Sequence, residues 1–474
     1  MKETIAAIAT PTGAGGIGII RISGSQAVEV ALQIFSKSSK KRVTPPFFES
    51  HKAIHGYIFD TDSDAVIDEV LLVPMVAPRS YTAEDVVEIQ AHSGAVVMRA
   101  ILDIILSKGV RLAKPGEFTQ RAFLNGRIDL TQAEAVADII NARSVSSLKI
   151  AVAQGLGHLK NSVIDARDEL IALLAELEVT IDFPEDVSDT VSKEGVSQVI
   201  KKVLHRCKSA IQTYQDAHFL RDGLKIAIFG APNVGKSSLM NRLLEKERSI
   251  VTEFPGTTRD LIEESINIDG IPFIISDTAG MHQTDDPVEK IGIERAKKSI
   301  EQSDMVLFIQ DVINISDSGL NLNIDEPILS NKKAIVVLNK IDKLNHEAIN
   351  SLPSSIWTQH GLIAVAPISA KTGDGVFELK KMITQIATED LIKNSNINPN
   401  WSSSVVPNLR HKTALQTAAS SLNQALENIK FNSLGEETLA IDIRNAIDCL
   451  GEITGDSAGV DILDAIFSQF CIGK

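Results

Sequence analysis

Two kinds of hydrophobic spacing divide the chain. Over residues 1–118, short β-type runs (Thr4 to Ala9, Ile17 to Ile22, Glu69 to Met75, Asp85 to Ala91) alternate with helical ones (Gln26 to Phe35, Val96 to Leu106), which predicts a compact α+β domain. Thr131-x-x-Glu134 then has the form of a capping box opening a helix through Ala142. Val163, Leu170, Leu174, Leu177 and Ile181 follow at intervals of 7, 4, 3 and 4, one apolar stripe on a helix that Pro184 terminates. Apolar strands come next at Leu224 to Phe229, Pro272 to Ile275 and Ala334 to Leu338, with a fourth ahead of Ser369. A polar stretch, Asn394 to Pro407, leads back to helical spacing: Leu439, Ile443, Ala446, Leu450 and Ile453 repeat at 4, 3, 4 and 3, and Gly455 is the expected stop.

The strands carry chemistry at their ends. Gly230-Ala-Pro-Asn-Val-Gly-Lys-Ser-Ser238 fits G-x-x-x-x-G-K-[ST] directly after a strand, the form of a phosphate-binding loop. Backbone N–H groups around Asn233, Val234 and Gly235 close on anionic oxygens, the helix from Ser238 to Leu244 points its positive end at them, and Lys236 adds a point charge. Ser237 is then a Mg²⁺ ligand. Asp277-Thr278-Ala279-Gly280 ends the second strand, where a carboxylate reaches the Mg²⁺ shell and the Gly280 N–H can sense a γ-phosphate. Asn339-Lys340-Ile341-Asp342 follows the third strand; its carboxylate suits the adjacent N1–H and amino donors of guanine, a pair adenine lacks. Ser369-Ala370-Lys371 offers a backbone N–H to the guanine O6, while Lys340 and Lys371 cover the ring. Four such elements in this order predict a Ras-like P-loop GTPase domain that binds GTP.

Because helical segments flank that module, the expected architecture is multidomain α/β: an α+β domain over 1–118, an all-α domain formed from two chain segments (119–222 and 389–474), and a GTPase domain inserted over 223–388. A module hung from two strands of chain suits movement against its host.

Charge narrows the partners. No segment is net basic: the balance runs from −1 over 1–118 to −5 over both 223–388 and 389–474, within a total of −14. Affinity for a phosphate backbone should be low, and a nucleic acid must be met by a local patch or through another protein. The three cysteines, Cys207, Cys449 and Cys471, make neither a disulfide framework nor a zinc motif, which reads as a reducing compartment. The apolar start is broken by Glu3, Pro11 and glycines, and no run is long enough to span a bilayer, so a cytoplasmic protein without membrane contact is expected. Gly13-x-Gly15-x-x-Gly18 matches a dinucleotide fingerprint but leads into strand-like Ile19 to Ile22, so a tight glycine turn is expected there.

Several stretches together resemble the MnmE (TrmE) family of tRNA wobble-uridine modification GTPases over nearly the full length. They are Gly15-Gly-Ile-Gly-Ile-Ile-Arg-Ile-Ser-Gly24, Glu117-Phe-Thr-Gln-Arg-Ala-Phe-Leu-Asn-Gly126 with Asp129-Leu-Thr-Gln-Ala-Glu134, Gly256-Thr-Thr-Arg-Asp260 and the terminal Phe470-Cys-Ile-Gly-Lys474. Ala14 departs from the arginine that many members carry in the glycine loop.

The resemblance implies an enzyme that, with an FAD-containing partner of the MnmG/GidA type, adds an aminomethyl or carboxymethylaminomethyl group to C5 of the wobble uridine of certain tRNAs. The carbon comes from a tetrahydrofolate. It further implies a homodimer through a folate-binding-like N-terminal domain, a heterotetramer with the partner, and 5-formyltetrahydrofolate held by positions matching Arg21, Glu88, Arg127 and Lys474. A carboxylate such as Glu88 can take a pteridine amide and amino group together, and arginines suit its carbonyl or carboxylate oxygens. Cys471 is either a buried small hydrophobe or a group near that chemistry.

For hydrolysis, Met281 stands where Ras-like proteins keep a water-orienting glutamine. What the resemblance supplies instead is a K⁺ ion placed by Asn233 and the loop Thr252-Glu253-Phe254-Pro255-Gly256-Thr257, with Thr252, Phe254 and Thr257 as its ligands. The same resemblance implies Glu289 as the catalytic carboxylate and Thr258 beside Ser237 on Mg²⁺. Two other readings share parts of this pattern: a ribosome-assembly GTPase, which should bring a basic RNA-binding domain, and a folate-dependent aminomethyltransferase with a regulatory GTPase.

Overall fold

The computed structural model describes residues 3–11, 13, 15–40, 42–43, 45, 47–182, 192–244, 263–277, 298–314, 332–344, 364–394, 406–431 and 436–474, without the side chains of 216, 263, 277, 314, 389–394 and 436. The chain divides into two compact units, Met1–Ala137 with Gly155–Leu204 and Thr417–Lys474, and Asp138–Gln154 with His205–Gln416.

In the first unit, strands β1 (Ile5–Ile8), β2 (Gly18–Ser23), β3 (Phe35–Ser36), β4 (Ile54–Phe59), β5 (Val66–Met75), β6 (Val86–Ala91) and β7 (Arg111–Leu112) form one sheet in the order β3-β4-β5-β6-β2-β1-β7. Pairing is antiparallel except between β1 and β7. Alternation decides which face is core. Ile20, Ile22, Val87 and Ile89 pack with residues of helices α1 (Ala27–Ile34) and α2 (Ala95–Ser107), so Arg21 and Glu88 between them point to the other face. That face is closed around Ile5, Ala7 and Ala113 by Phe118 of α3 (Glu117–Leu124) and by Tyr81. The sequence reading named neither β4 nor the two-residue β3 and β7, whose short runs give weak periodicity.

Two helical expectations are corrected. Helix α4 (Leu130–Asn141) opens two residues before Thr131, because Asp129 Oδ1 accepts from the Thr131 and Gln132 N–H groups (2.7 and 3.1 Å) while Gln132 Oε1 accepts from Asp129 N–H. The box is therefore Asp129-x-x-Gln132, and Thr131 is buried inside it. In the helix His158–Asp182, here α6 after α5 (Val145–Gly155), the buried line is Leu159, Val163, Ala166, Leu170, Leu173 and Leu177. Leu174 and Ile181 sit at its margin and Pro184 lies outside the described residues. After α7 (Lys193–Asp222), the chain's later helices in this unit include α11 (Glu436–Thr454), which lies along α6 with Arg444 paired to Glu178 and Asp456, just beyond it, to Arg167.

The second unit is built on strands β8 (Leu224–Gly230), β9 (Glu263–Ile268), β10 (Ile271–Asp277), β11 (Met305–Asp311), β12 (Lys333–Asn339) and β13 (Ala364–Pro367), in the order β13-β12-β11-β8-β10-β9. All neighbours are parallel except β9 with β10. Both faces are buried, which is why these strands read as continuous apolar runs. Helices α8 (Lys236–Leu244) and α9 (Val376–Asn394) cover one face through Leu239, Leu243, Leu379 and Ile383. Helix α10 (Leu409–Phe431) follows, and α12 (Val460–Phe467) precedes the C-terminal tail of the first unit. Among the described residues no helix is long and apolar enough to cross a membrane.

Candidate functional site

Parallel strands place their C-terminal ends along one edge, and the motifs sit there: Gly230 ends β8, Asp277 ends β10 and Asn339 ends β12. From β8 the phosphate-binding loop turns into α8. Gly235, at φ +100°, has no room for a side chain, since a Cβ would lie 2.3 Å from Asn339 Nδ2. Lys236 Nζ donates to the carbonyls of Gly230 and Ala231, both at 2.9 Å. Ser237 and Ser238 are exposed at the helix start, as a metal-ligating hydroxyl there requires. Asn233, at φ 62°, is exposed, and its side-chain oxygen engages no partner among the described residues.

The base-reading loop is tied to the phosphate loop. Asn339, 2% exposed, donates from Nδ2 to Val234 O at 2.7 Å, while its Oδ1 accepts from the N–H groups of Lys340 (2.8 Å) and Ala370 (2.9 Å). Ser369 Oγ donates to Asp342 Oδ1 at 2.6 Å, a bond that holds the carboxyl of this exposed residue below its ordinary pKa. Of the backbone donors expected to reach the guanine O6, that of Ser369 is used by Asp374 O and that of Ala370 by Asn339. Lys371 N–H is the one without a partner among the described residues. Ile341 opens the short turn that presents Asp342.

Two residues the motifs did not include support this geometry. Arg242 of α8 donates to the carbonyls of Ala370 and Lys371, at 3.3 and 2.6 Å. Asp311, at the end of β11, pairs with Lys340 at 2.7 Å. Neither has a motif signature; the available signal for Asp311 was a carboxylate closing the apolar run Met305 to Ile309, a strand the sequence reading passed over. Tyr81, also outside the motifs, belongs to the first unit and to a separate cluster there. The predicted residues Thr252, Glu253, Phe254, Pro255, Gly256, Thr257, Thr258, Thr278, Ala279, Gly280 and Glu289, and Met281 with them, lie outside the described residues, as does the side chain of Asp277.

In the first unit Arg21 and Arg127, two of the four residues matched to a folate site, both lie against Tyr81, and Glu88 and the C-terminal tail meet Arg21. Arg21 and Glu88 are opposite each other across β2 and β6, and Glu88 Oε1 takes both Nε and Nη2 of Arg21 at 2.9 and 2.8 Å. The Arg21 guanidinium lies 5.0 Å from the centre of the Tyr81 ring; that of Arg127 lies 5.0 Å from the same ring and donates to Tyr81 O at 2.9 Å. The C-terminal tail completes the group. Gly473 O accepts from Arg21 Nη1 at 3.3 Å, Lys474 O accepts from Phe118 N–H at 3.1 Å, and Gly473, at φ +97°, passes so close to Ile8 O that a Cβ would stand 2.3 Å from it. Burial and the Arg21 charge hold the Lys474 amine below its ordinary pKa, against the opposing pull of Glu88. Cys471 is exposed, so the reading of it as a buried hydrophobe fails. Gly18 opens β2 and Gly15 lies just before it, held by Ser93, whose Oγ accepts from Gly15 N–H at 2.7 Å; the dinucleotide-type pattern leads into a strand.

The strand order, the phosphate loop and the base-reading loop define a guanine-nucleotide-binding P-loop domain, joined in one chain to a sheet domain and a helical one. Comparison with known proteins narrows this. Residues 4–127 match the family model for the GTP-binding protein TrmE N-terminus, and residues 130–471 match that for the MnmE helical domain. Curated relatives include the tRNA modification GTPase MnmE of Acetivibrio thermocellus, 43% identical over 100% of this chain and 99% of that one, and its namesake from Carboxydothermus hydrogenoformans, 44% identical over the full length of both. The chain belongs to the MnmE family and is a GTP-hydrolysing enzyme.

Proposed function

We propose that this protein uses GTP binding and hydrolysis to drive modification of the wobble uridine of certain tRNAs. With an FAD-containing partner of the MnmG/GidA type, it adds an aminomethyl or carboxymethylaminomethyl group to C5, taking the carbon from a tetrahydrofolate. The relatives' names support the tRNA part of this reading. The observation that carries the folate part is the meeting of Arg21 and Arg127 on one aromatic ring, with Glu88 and the tail carbonyl of Gly473 bonded to Arg21, far in sequence from every nucleotide element. A carboxylate beside two guanidiniums and an aromatic face offers a pteridine its donors, acceptors and stacking surface.

The proposal assigns 1–118 to folate binding and homodimer formation, 223–388 to the GTPase, and 119–222 with 389–474 to the helical domain, in a cytoplasmic heterotetramer with the partner. For the metals, Ser237 fits a Mg²⁺ ligand by its exposure at the start of α8, and Asn233 fits one K⁺ ligand by its unengaged side-chain oxygen. Thr258 would complete the first set, and Thr252, Phe254 and Thr257 the second. K⁺, when bound, supplies positive charge beside the phosphates as charge develops there.

The test is the nucleoside composition of tRNA from cells lacking the protein. Loss of the C5-modified wobble uridines, restored by the wild-type chain, is expected. Intact wobble uridines with defective ribosomal particles would instead indicate a ribosome-assembly GTPase. Restoration in cells without the FAD protein would indicate a free-standing aminomethyltransferase.

A further inference from the structure

A carboxylate left buried at the end of an apolar strand must find a compensating charge or be protonated. Asp311 is 8% exposed at the end of β11, and its register places it level with Asn339 of β12, beside the base-reading loop. It finds two donors: the Ile313 N–H, 3.1 Å from Oδ1, and the Lys340 ammonium, 2.7 Å from Oδ2. Burial works against the charged form, yet these partners hold the carboxyl below its ordinary pKa. The same ammonium donates to Asn233 O in the phosphate loop at 2.8 Å. One lysine thus spans from β11 to the phosphate loop, starting from the loop that reads the base.

We propose that Asp311 is a positioning residue that sets how long a guanine nucleotide stays bound, acting through Lys340. A lysine has four rotatable carbons and a strongly hydrated head, and left to itself it gains entropy and solvation by swinging out. The Lys340 side chain is 26% exposed, so that route is open. Asp311 closes it. With the ammonium fixed, Lys340 latches the phosphate loop to the loop carrying Asp342, and both must let go for the nucleotide to leave. The second tie, Asn339 Nδ2 to Val234 O, lacks a charge and does not involve Asp311. The carboxylate is assigned no contact of its own with the nucleotide; its effect is on the lysine it holds.

The experiment uses the full-length chain and a fluorescent GDP, with association and dissociation followed separately by stopped flow. Asp311→Ala is expected to speed dissociation about tenfold and change association less than about threefold, since loss of a formed contact is read mainly in the off-rate. Asp311→Asn, which keeps an acceptor oxygen but loses the charge, is expected to fall between wild type and Asp311→Ala. The decisive arm is a cycle with Lys340→Ala, in which adding Asp311→Ala should give no further acceleration, because the group it acts through is gone. Unchanged dissociation in Asp311→Ala, or the same acceleration with and without Lys340, overturns the proposal. Where Asp311→Ala fails to fold, Asp311→Asn is carried through the same cycle and read by the same criteria.

Discussion

Ser369 Oγ donates to Asp342 Oδ1 at 2.6 Å, which leaves Oδ2 of this exposed carboxylate without a partner among the described residues. Asp342→Asn preserves the bond to Ser369 through the amide oxygen and turns only the other atom from acceptor to donor. That atom then opposes a guanine donor and suits xanthine. GTP affinity is expected to fall about tenfold or more, with XTP affinity rising, in a competition assay against a fluorescent nucleotide. Unaltered preference for GTP over XTP would remove Asp342 from base recognition.

Deleting Gly473 and Lys474 takes from Arg21 its tail carbonyl and from Phe118 N–H its acceptor, all groups of the first unit. Calorimetry should show 5-formyltetrahydrofolate binding weakened by about tenfold and binding of a non-hydrolysable GTP analogue unchanged. Equal folate affinity with and without the two residues would take Lys474 out of the proposed site.

Glu117 gives the first unit an acid-sensitive point. Burial would raise its pKa, but hydrogen bonds from Arg111, the Lys114 N–H and Arg121 outweigh that and bring it from 4.5 to about 2. Because the folded carboxyl binds its proton less tightly than the unfolded one, its contribution is full above about pH 4.5 and is lost as pH falls toward 2. The whole shift corresponds to roughly 3 kcal/mol at most. Glu117→Gln should therefore lower the unfolding temperature at pH 7, with the gap to wild type narrowing between about pH 5 and pH 3. A gap independent of pH would mean that the loss is one of packing.

Hydrolysis is expected to depend on K⁺ and to be poorly supported by Na⁺. Met281 offers no group to orient water, while Asn233 leaves a side-chain oxygen unengaged beside the phosphate loop. A cage of oxygens sized for the larger ion holds the smaller one badly, and charge placed there acts mainly on the transition state, so turnover should respond more than GTP affinity. Glu289→Ala should cost roughly 10²-fold in turnover with binding preserved. Single-turnover rates in matched KCl and NaCl decide the ion's part, and equal rates would end it.

The phosphate loop and the base-reading loop were legible in the chain because they are short segments whose chemistry depends on local order and on the strand before them. Leu224 to Phe229 and Ala334 to Leu338 were legible because strands buried on both faces are apolar throughout. The position of the box that opens α4 was misread by two residues, since Asp129-x-x-Gln132 and Thr131-x-x-Glu134 satisfy the same pattern and only the bonds actually formed distinguish them. What tertiary structure alone decided are the long-range meetings. Arg21 and Glu88 become partners by the register of β2 with β6, 67 residues apart, and Gly473 joins them from 452 residues away. Asp311 meets Lys340 because parallel pairing brings the end of β11 level with Asn339. No local pattern announces such a contact, for its cause is the order of strands in the sheet and the place where a distant stretch of chain comes to rest.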